Sequence, residues 1–401
     1  YTAKAPFIRL ADRFAILLLP VTLIIAGAAW LASGDPVRAL AVLVVATPCP
    51  LILAAPIAYV AGVSRAAHEG VLMKGGAALE ALSQAQTAIF DKTGTLTEGG
   101  AHLVAIHTPK GHDPNLVLAL SASLEQASSN VVAQAVVSAA RQRNLTLLQP
   151  HDVREHRGKG MEGRVDGTFV RIGSRELVCD DKRLPKWAQA ALERPGEGSA
   201  LTVFVSVNEK LAAVLSMRDL LRPEAGQTLA ALRENGIVRI AMLTGDNEEA
   251  AAAAGTGLDL DKVWAGQTPA GKVEIVVEET ARASTMMIGD GINDAPALAA
   301  ATVGIAMGAK GATASSEAAD IVVLIDRLDR VADALAISRR SRAIAMQSIV
   351  AGLVLSGAAM VVAAFGYLTP VAGAILQEFI DVAVILNALR ALGGGSTGRA
   401  S

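Results

Sequence analysis

The sequence predicts a membrane α-helical bundle joined to a cytoplasmic α/β part, in which a doubly wound sheet carries an inserted α+β domain. Two observations predict this fold class. The chain of 401 residues has four long apolar stretches, one pair near each end, at 14–32, 39–63, 345–366 and 371–389. Between the pairs, short apolar runs alternate with alanine-rich runs, which is typical of parallel strands connected by helices.

The apolar stretches are each long enough to cross a bilayer, which takes about 20 residues in a helix. A soluble protein would need a very large core to bury four of them, so we expect an integral membrane protein. The composition agrees, since 52% of the residues are hydrophobic. The net charge of −2 leaves no basic excess, and we therefore expect no nucleic-acid partner.

Basic residues are distributed unequally around these stretches. The loop within the first pair leads into Arg38 and the loop within the second pair carries no basic residue, whereas Arg65, Arg339, Arg340 and Arg342 lie on the other side. Positive side chains favour the cytoplasmic side of a membrane. We therefore expect both termini and the central segment in the cytoplasm, the plasma membrane as the location, and membrane lipid as a partner.

The central segment shows two patterns. Its beginning and its end predict one α/β sheet, with strands at 238–243, 285–288 and 321–324. The region between them has its own strands at 169–172 and 201–207 and its own helices at 116–126 and 131–141. This order predicts one domain inserted into another.

Asp91 opens the run Asp-Lys-Thr-Gly-Thr-Leu-Thr, directly after the apolar residues 88–90. A carboxylate at the end of a buried strand, followed by a glycine turn rich in hydroxyl and N–H groups, presents a nucleophile to a phosphoryl group. An ordinary strand-to-loop turn would not require this order of residues. Asp91 is therefore the candidate nucleophile.

Two later segments offer polar groups to a phosphate. Thr244, Gly245 and Asp246 follow an apolar run and would lie at the carboxyl edge of a sheet, where phosphates bind. Lys272 follows a Thr-Pro pair and offers a mobile positive charge for the transferred group.

A third segment predicts a magnesium site. Asp290 and Asp294 follow the apolar run that ends at Ile288, and they supply the hard carboxylate oxygens that Mg²⁺ prefers. We expect Asp91 and Asp290 to be the ligands, with Asp294 supporting them. Mg²⁺ would neutralise charge between the nucleophile and the γ-phosphate of a nucleotide.

In this order, the segments resemble the motifs of the P-type ATPases, and the resemblance covers nearly the whole chain. It implies a haloacid dehalogenase-like phosphorylation domain, ATP as substrate, and a catalytic set of Asp91, Lys92, Thr93, Thr244, Gly245, Asp246 and Lys272. Soluble phosphatases that share this nucleophile usually carry a second aspartate two positions on. Thr93 in that place predicts a long-lived phosphoenzyme, as a pump requires, and disfavours the alternative of a membrane-tethered phosphatase.

The resemblance also divides the chain. It implies two transmembrane helices at 1–63, the phosphorylation domain at 64–99 and 215–341, the nucleotide-binding domain at 100–214, two more transmembrane helices at 342–392, and a flexible tail at 393–401.

The expected nucleotide site lies in the inserted domain. Gly158, Gly160 and Gly163 form a Gly-x-Gly-x-x-Gly pattern that is weak by itself but resembles the ATP-binding glycines of the heavy-metal branch. Glu125 matches the acidic nucleotide-site residue of that branch, with a plain structural role as an equal alternative. Asp219 matches a position at the hinge between the two cytoplasmic domains.

The chain departs from the branch at two positions of the adenine region. Asn130-Val131 stands where the branch usually has His-Pro, and Ser174 stands where it has Asn. The resemblance therefore predicts ATP binding but leaves the contacts to adenine open.

Cys49 lies between two prolines near the middle of the second apolar stretch. Prolines remove backbone donors and break the helix, which a membrane tolerates only where a cavity is lined. The Cys-Pro arrangement resembles the heavy-metal, or type IB, branch. Because thiolate prefers softer metals, it argues against a Ca²⁺ or Na⁺/K⁺ pump.

The last apolar stretch adds Gln377, Glu378 and Asp381, whose spacing of three and four predicts a common helix face. Carboxylates inside a membrane are costly and usually functional, although a position near the interface stays open. Together with Cys49 they favour a transition-metal cation of the cobalt, nickel, iron or zinc class over Cu(I). His102, His107 and His112 are predicted to lie on a surface loop, without metal.

One part of the family pattern has no counterpart, since no segment resembles the Thr-Gly-Glu loop of the actuator domain. The chain is therefore expected to be the C-terminal part of a longer protein. Such a part would accept phosphate from ATP but release it slowly, and the alternative is a turnover-deficient or regulatory fragment.

Overall fold

The computed structural model describes residues 6–47, 49–179, 183–193, 201–290, 294–308 and 317–393, and side chains within these ranges except at 6–18 and 49–51. Three helices begin the chain: α1 Pro6–Ser33, α2 Pro36–Val45 and α3 Cys49–His68. The side chain of Asp35 caps α2 by accepting from the backbone N–H of Val37 at 2.9 Å. The second apolar stretch is broken between α2 and α3, where the paired prolines predict a break.

A doubly wound sheet follows, as the sequence predicts. Its first part comprises β1 Val71–Met73, α4 Gly76–Ser83 and β2 Thr87–Asp91. All five residues of β2 are buried. Such a run of apolar residues without alternation fits a strand that is covered by helices on both faces.

The inserted domain forms a six-stranded sheet in the order β3-β8-β7-β6-β5-β4, with every pair of neighbours antiparallel. Its strands are β3 His102–His107, β4 Pro150–His156, β5 Gly160–Val165, β6 Thr168–Gly173, β7 Leu201–Val207 and β8 Lys210–Arg218. Its helices are α5 Pro114–Glu125, α6 Val131–Gln142, α7 Arg175–Cys179 and α8 Lys186–Leu192. Leu118 and Val136 of α5 and α6 pack against the strands in one hydrophobic core.

Strand β8 extends past the predicted domain boundary at 214, because it pairs with β3 and β7 as far as Arg218. The prediction of a loop around the first two histidines is wrong. The histidines at 102 and 107 lie in strand β3 rather than in a loop, because β3 completes the sheet at its edge.

The parent sheet is completed after the insert. Its later elements are α9 Ala225–Glu234, β9 Arg239–Leu243, α10 Glu248–Gly255, β10 Lys262–Trp264, α11 Pro269–Arg282, β11 Thr285–Gly289, α12 Ala295–Ala300, β12 Val303–Met307 and β13 Ile321–Val323. The seven strands follow the order β1-β13-β12-β11-β2-β9-β10. Only β1 runs antiparallel to its neighbour among the described strand pairs. The β2 strand that ends at Asp91 is therefore internal, between β11 and β9.

Two helices end the described chain, α13 Asp329–Ala364 and α14 Pro370–Leu389. Both are long and apolar enough to cross a membrane, and among the described residues two shorter apolar helices, Leu19–Ser33 and Pro36–Val45, lie near the beginning of the chain. Helix α13 crosses the predicted boundary at 341 and continues from the sheet domain into its apolar part without a break. Ile380 and Val384 of α14 belong to the same hydrophobic cluster as Phe90 of β2, so one core joins the two regions.

Candidate active site

Asp91 lies at the carboxyl end of the internal strand β2 and is 5% exposed. The ammonium group of Lys272 contacts its carboxylate, with Nζ 2.5 Å from Oδ1. Lys272 is in the first turn of α11, which begins at Pro269 and is capped by Thr268. The cap and the proline together fix where this helix starts, and therefore where the lysine is presented.

Asp294 lies at the start of α12 and is also bound by Lys272, whose Nζ is 2.8 Å from its Oδ1. One cation thus joins two carboxylates at the edge of the sheet. The pKa of Asp91 is raised to about 6: burial raises it most, the negative charges of Asp294 and Asp290 also raise it, and Lys272 lowers it. Burial lowers the pKa of Lys272, but the two carboxylates outweigh it and the net direction is upward.

Asp290 lies beside the turn that follows Asp91. Gly94 in this turn has a φ of +74°, and a Cβ atom placed on it would be 3.2 Å from the Asp290 carboxylate oxygen Oδ2. A glycine is therefore needed here both for the backbone conformation and for the close approach of Asp290. Residues 291–293, between the two aspartates of this segment, lie outside the described residues.

The donor set fits magnesium. Asp91, Asp290 and Asp294 are close enough to influence one another's charge, and all three offer hard oxygen atoms. Among the described residues, no three His, Cys, Asp or Glu side chains form a complete metal site by themselves. Mg²⁺ needs no such cage, because it commonly binds one or two carboxylates together with substrate phosphates and water.

A second ion pair lies beside Asp91, the candidate nucleophile. Lys92 contacts Asp246, with Nζ 2.7 Å from Oδ2. Thr244 is 2% exposed, and its hydroxyl accepts from the backbone N–H of Asp246 at 3.1 Å. Gly245 between them runs close to the backbone of Gln267, since a Cβ there would be 3.3 Å from its carbonyl oxygen. The structure therefore brings Thr244, Gly245 and Asp246 to the Asp91 edge through β9, which pairs with β2.

Asp219 binds the loop that follows Asp91. Its carboxylate accepts from the hydroxyl of Thr97 at 2.5 Å and from the backbone N–H groups of Gly99 and Gly100 at 3.0 and 3.3 Å. Because β8 and β3 flank these contacts, Asp219 ties together the two chain crossings between the domains. Asp219 therefore lies where the chain passes between the two domains, and its contacts in this structure are to the protein itself.

Arg222 is a residue that the sequence analysis did not single out. It is 7% exposed, donates from Nε to the carbonyl of Thr95 at 2.9 Å and from Nη2 to that of Gly94 at 3.2 Å, and pairs with Asp326 at 2.5 Å. Arg222 therefore holds the turn that follows Asp91. The local sequence signal for this role is its position three residues after Asp219.

A cleft of about 720 Å³ lies between the two cytoplasmic domains. Lys92, Thr93 and Asp246 line it from the parent sheet, and Val131 and Leu201 line it from the insert. Thr93 is exposed to this cleft, directly after Asp91 in the chain. A ligand held by the insert could thus present a phosphate to the Asp91 edge.

The predicted nucleotide residues lie around the end of α5 and strand β5. Glu125 is 4% exposed, and burial raises its pKa to about 7, with the charge of Glu155 adding to the effect. Gly160 touches the neighbouring strand, since a Cβ there would be 2.1 Å from the carbonyl oxygen of Ile172. Gly163 is equally restricted, by Leu124 at 2.8 Å. Packing therefore accounts for these two glycines, whether or not they also contact a nucleotide.

Gly158 differs from the other two glycines. It lies in the turn between β4 and β5 with a φ of +74°, and a Cβ there would meet nothing within 4 Å. Its requirement is conformational, and the space around it is open.

The polar residues of α14 differ in how deeply they are buried. Gln377 is 4% exposed, accepts from the hydroxyl of Ser356 at 3.2 Å, and donates to Asp381 at 3.0 Å. Glu378 is exposed on the described helices. At about 100° per residue, the three side chains fall within one broad face of the helix, with Gln377 on its buried side and Glu378 on its exposed side. The side chain of Cys49 lies outside the described residues.

The histidines of the insert form no metal group among the described residues. Nε2 of His102 is 2.9 Å from Oε2 of Glu98, both of them partly exposed. His112 is exposed. A surface position for these side chains therefore agrees with the structure, although two of them lie in a strand.

Comparison with known proteins identifies the architecture. Residues 85–302 match the family model described as haloacid dehalogenase-like hydrolase. The chain is similar over 96% of its length to a crystal structure of a zinc-transporting PIB-type ATPase in the E2.Pi state, with a TM-score of 0.83, 31% identity and 66% of that chain covered.

Curated relatives point the same way. The chain is 36% identical over 392 residues to the manganese-exporting P-type ATPase of Mycobacterium bovis, covering 96% of this chain and 54% of that protein. It is 34% identical to the zinc-exporting P-type ATPase of Mycobacterium marinum, with 96% and 53% covered, and 38% identical to the copper-exporting P-type ATPase of Mycobacterium tuberculosis, with 96% and 51% covered. The chain thus spans about half the length of these relatives. On its fold, its buried Asp91 edge and these similarities, the chain belongs to the haloacid dehalogenase-like hydrolases and, within them, to the heavy-metal P-type ATPases.

Proposed function

We propose that this chain is the phosphorylation and transport part of a pump that exports a transition-metal cation at the expense of ATP, with an aspartyl phosphate on Asp91 as the intermediate. The observation that carries the proposal is the contact of Lys272 with both Asp91 and Asp294 at the carboxyl edge of the sheet. A buried carboxylate paired with a mobile cation suits attack on a phosphoryl group.

In the proposed step, an oxygen of the Asp91 carboxylate bonds to the γ-phosphorus of ATP. The bond from that phosphorus to the β–γ bridging oxygen breaks, and ADP leaves with the electron pair. Lys272 stays close to the phosphoryl oxygens and offsets the negative charge that Asp91 and Asp294 would otherwise hold against them. Lys92, held by Asp246, keeps a second positive charge beside the nucleophile.

Asp91 and Asp290 would hold Mg²⁺, with Asp294 beside them. When bound, the ion neutralises charge between the carboxylate and the phosphate. Glu125 and the open turn at Gly158 are the proposed contacts of the nucleotide in the insert, and the cleft beside Lys92 and Thr93 is its path to Asp91.

The transported ion is proposed to bind between the membrane helices. Cys49 at the start of α3 would supply a sulfur ligand, and Gln377 and Asp381 would supply oxygen ligands. This mixture suits a borderline divalent cation of the cobalt, nickel, iron or zinc class. The plasma membrane is the proposed location, with the sheet domains on the cytoplasmic side.

Labelling with γ-³²P-ATP tests the proposal. We expect the chain to take up label in the presence of Mg²⁺, in a bond that hydroxylamine cleaves, as an acyl phosphate should. Asp91→Asn should abolish the label, while Asp259→Asn, which changes an exposed carboxylate on the same domain, should keep it. Label that persists in Asp91→Asn would refute the aspartyl phosphate.

The metal is tested on the same label. We expect labelling to respond to a divalent transition metal in the unchanged chain and to lose this response in Cys49→Ser. Labelling that does not change with any metal tested would contradict the transport site but would leave the proposed phosphorylation step intact.

A further inference from the structure

A second cleft, of about 860 Å³, lies at the opposite edge of the parent sheet from Asp91. It is found at the amino ends of strands β2, β9 and β11, beside helix α13. The residues that precede these strands line one wall, and one face of the helix lines the other, with Gln86, Val238 and Ser284 facing Arg339, Arg342, Ala343 and Met346. The proposed phosphorylation chemistry uses none of these residues.

The two arginines of this cleft differ in their contacts. Arg339 donates from Nη2 to the carbonyl of Ala85 at 2.8 Å and to that of Gly236 at 3.3 Å, and from Nη1 to the carbonyl of Asn235. It is therefore fixed to the sheet domain. The buried Nε of Arg342, by contrast, has no acceptor among the described residues.

Positive charge is concentrated here. The two guanidinium groups are close enough to repel each other. The buried carboxylate of Glu80 lies on this side too, since the charges of Glu80 and Arg342 both act on Tyr59. This carboxylate also accepts a hydrogen bond from Nε2 of Gln84 at 3.1 Å. One carboxylate that already accepts this hydrogen bond does not neutralise the positive charge of two arginines. The buried hydroxyl of Ser284 adds a polar atom without a partner among the described residues.

The cleft opens toward the membrane. The apolar part of α13 begins at Ala345, about 5 Å along the axis from Arg342 at 1.5 Å per residue. Met346 lies one turn beyond Arg342 and lines the same cleft. Val350 and Val354 continue that helix face and are 51% and 64% exposed. A charged pocket therefore leads directly into an exposed apolar strip.

We infer that this cleft binds the phosphate-bearing headgroup of an anionic membrane lipid. Guanidinium groups bind phosphate with paired N–H donors, and basic pockets on the cytoplasmic side of membrane helices take such headgroups. The guanidinium group of Arg342 and the hydroxyl of Ser284 contact the phosphate, and an acyl chain follows Met346, Val350 and Val354. The apolar strip favours a lipid over free phosphate, which has nothing to place there.

The test uses the full chain in phosphatidylcholine vesicles that contain increasing amounts of phosphatidylglycerol, without ATP or metal. We expect phosphatidylglycerol to raise the thermal unfolding midpoint. The measurement is made in 1 M salt, where the screening length is about 3 Å and diffuse attraction to the surface is suppressed. Because neither nucleotide nor metal is present, the result is independent of the proposed pump function.

Arg342→Gln should lower the apparent affinity for phosphatidylglycerol about tenfold or more, because a hydrogen bond between two charged groups is lost and such a direct contact persists in 1 M salt. Ala343→Glu changes an exposed helix position and places a carboxylate in the cleft, so the same loss is expected without altering either arginine. Arg340→Gln is the matched control, because Arg340 is exposed at the same depth but lies outside the cleft and binds the carbonyl of Gly393 at 2.9 Å.

Three results decide the matter. Loss of affinity in Arg342→Gln and Ala343→Glu, with Arg340→Gln unchanged, supports the lipid site. Equal responses in all variants would show diffuse attraction and overturn it. Millimolar inorganic phosphate that reproduces the full effect in pure phosphatidylcholine would overturn the lipid assignment. If Arg342→Gln unfolds more easily without phosphatidylglycerol, Ala343→Glu alone decides.

Discussion

Lys272 joins Asp91 to Asp294, with its Nζ 2.5 Å from the first carboxylate and 2.8 Å from the second. The three residues come from a helix start, a strand end and another helix start, separated by 181 and 22 positions in the chain. All three are largely buried, so loss of the cation would leave two carboxylates without a counter-charge. We therefore expect the proposed chemistry at this edge to depend on Lys272.

Lys272→Ala should slow labelling of the chain by ATP about 100-fold or more, because an oriented charge near the transferred phosphoryl group is lost. Lys262→Ala is the control, since it removes an exposed lysine of the same domain. The initial rate of ³²P incorporation is the measurement. An equal loss in both variants would mean that charge on the domain matters and the contact to Asp91 does not.

Gly94→Ala should impair labelling beyond its effect on stability. Alanine at a φ of +74° costs about 1 kcal/mol, and its Cβ would also press on the Asp290 carboxylate from 3.2 Å. Gly257→Ala is the matched control, because Gly257 has a φ of +84° with nothing within 4 Å. We expect similar losses of unfolding free energy in both variants and a labelling defect, relieved by higher Mg²⁺, only in Gly94→Ala.

Glu125→Gln should change how stability depends on pH. Burial raises the pKa of Glu125 from 4.5 to about 7, so the folded state retains a proton that the unfolded state has released between these values. Below pH 4.5 both states are protonated and burial has no charge cost. As pH rises through 7, stability falls by about 3 kcal/mol relative to a neutral side chain.

The variant should therefore be more stable than the unchanged chain at pH 8, by an amount that disappears near pH 4. Urea unfolding of the full chain in detergent at several pH values measures this difference. Glu234→Gln, which removes an exposed carboxylate, serves as the control. A difference that is constant with pH would contradict a protonated Glu125.

Asp381→Asn and Glu378→Gln separate the inner from the outer face of α14. Asp381 is bound by the buried Gln377, whereas Glu378 is exposed on the described helices. We expect Asp381→Asn to reduce metal-stimulated labelling about tenfold or more, as ligand-shell changes do, and Glu378→Gln to have little effect. The metal concentration for half-maximal labelling is the readout. A larger loss in Glu378→Gln would reverse this assignment.

The predictions that succeeded depend on local pattern. The apolar residues before Asp91 and Thr285–Gly289 form parallel neighbours, and the prolines around Cys49 mark a real break between helices. The boundaries were harder to predict, since they depend on where a pattern stops. Strand β8 extends to Arg218 because β3 and β7 continue beside it, and α13 passes through 341 without a break.

Side-chain roles were harder to predict than positions. The glycines at 160 and 163 match a nucleotide pattern, yet strand packing alone requires both. Arg222 received no role from its sequence context, although it holds the carbonyl groups of the turn after Asp91. Such contacts join residues more than 100 positions apart, and no local pattern records them.

By itself, the sequence determined the kind of chemistry and the order of the parts: a strand-end nucleophile, a cluster of carboxylates and lysines, an inserted domain and apolar helices at both ends. These features are local, since strand and helix periods, prolines and glycine turns are set within a few residues. Only the tertiary structure decided that Lys272 bridges Asp91 and Asp294, that Gln377 is buried while Glu378 is exposed, and that the Nε of Arg342 has no acceptor in the described chain. Those outcomes depend on how distant segments pack, which fixes distances and burial that residue order alone leaves free.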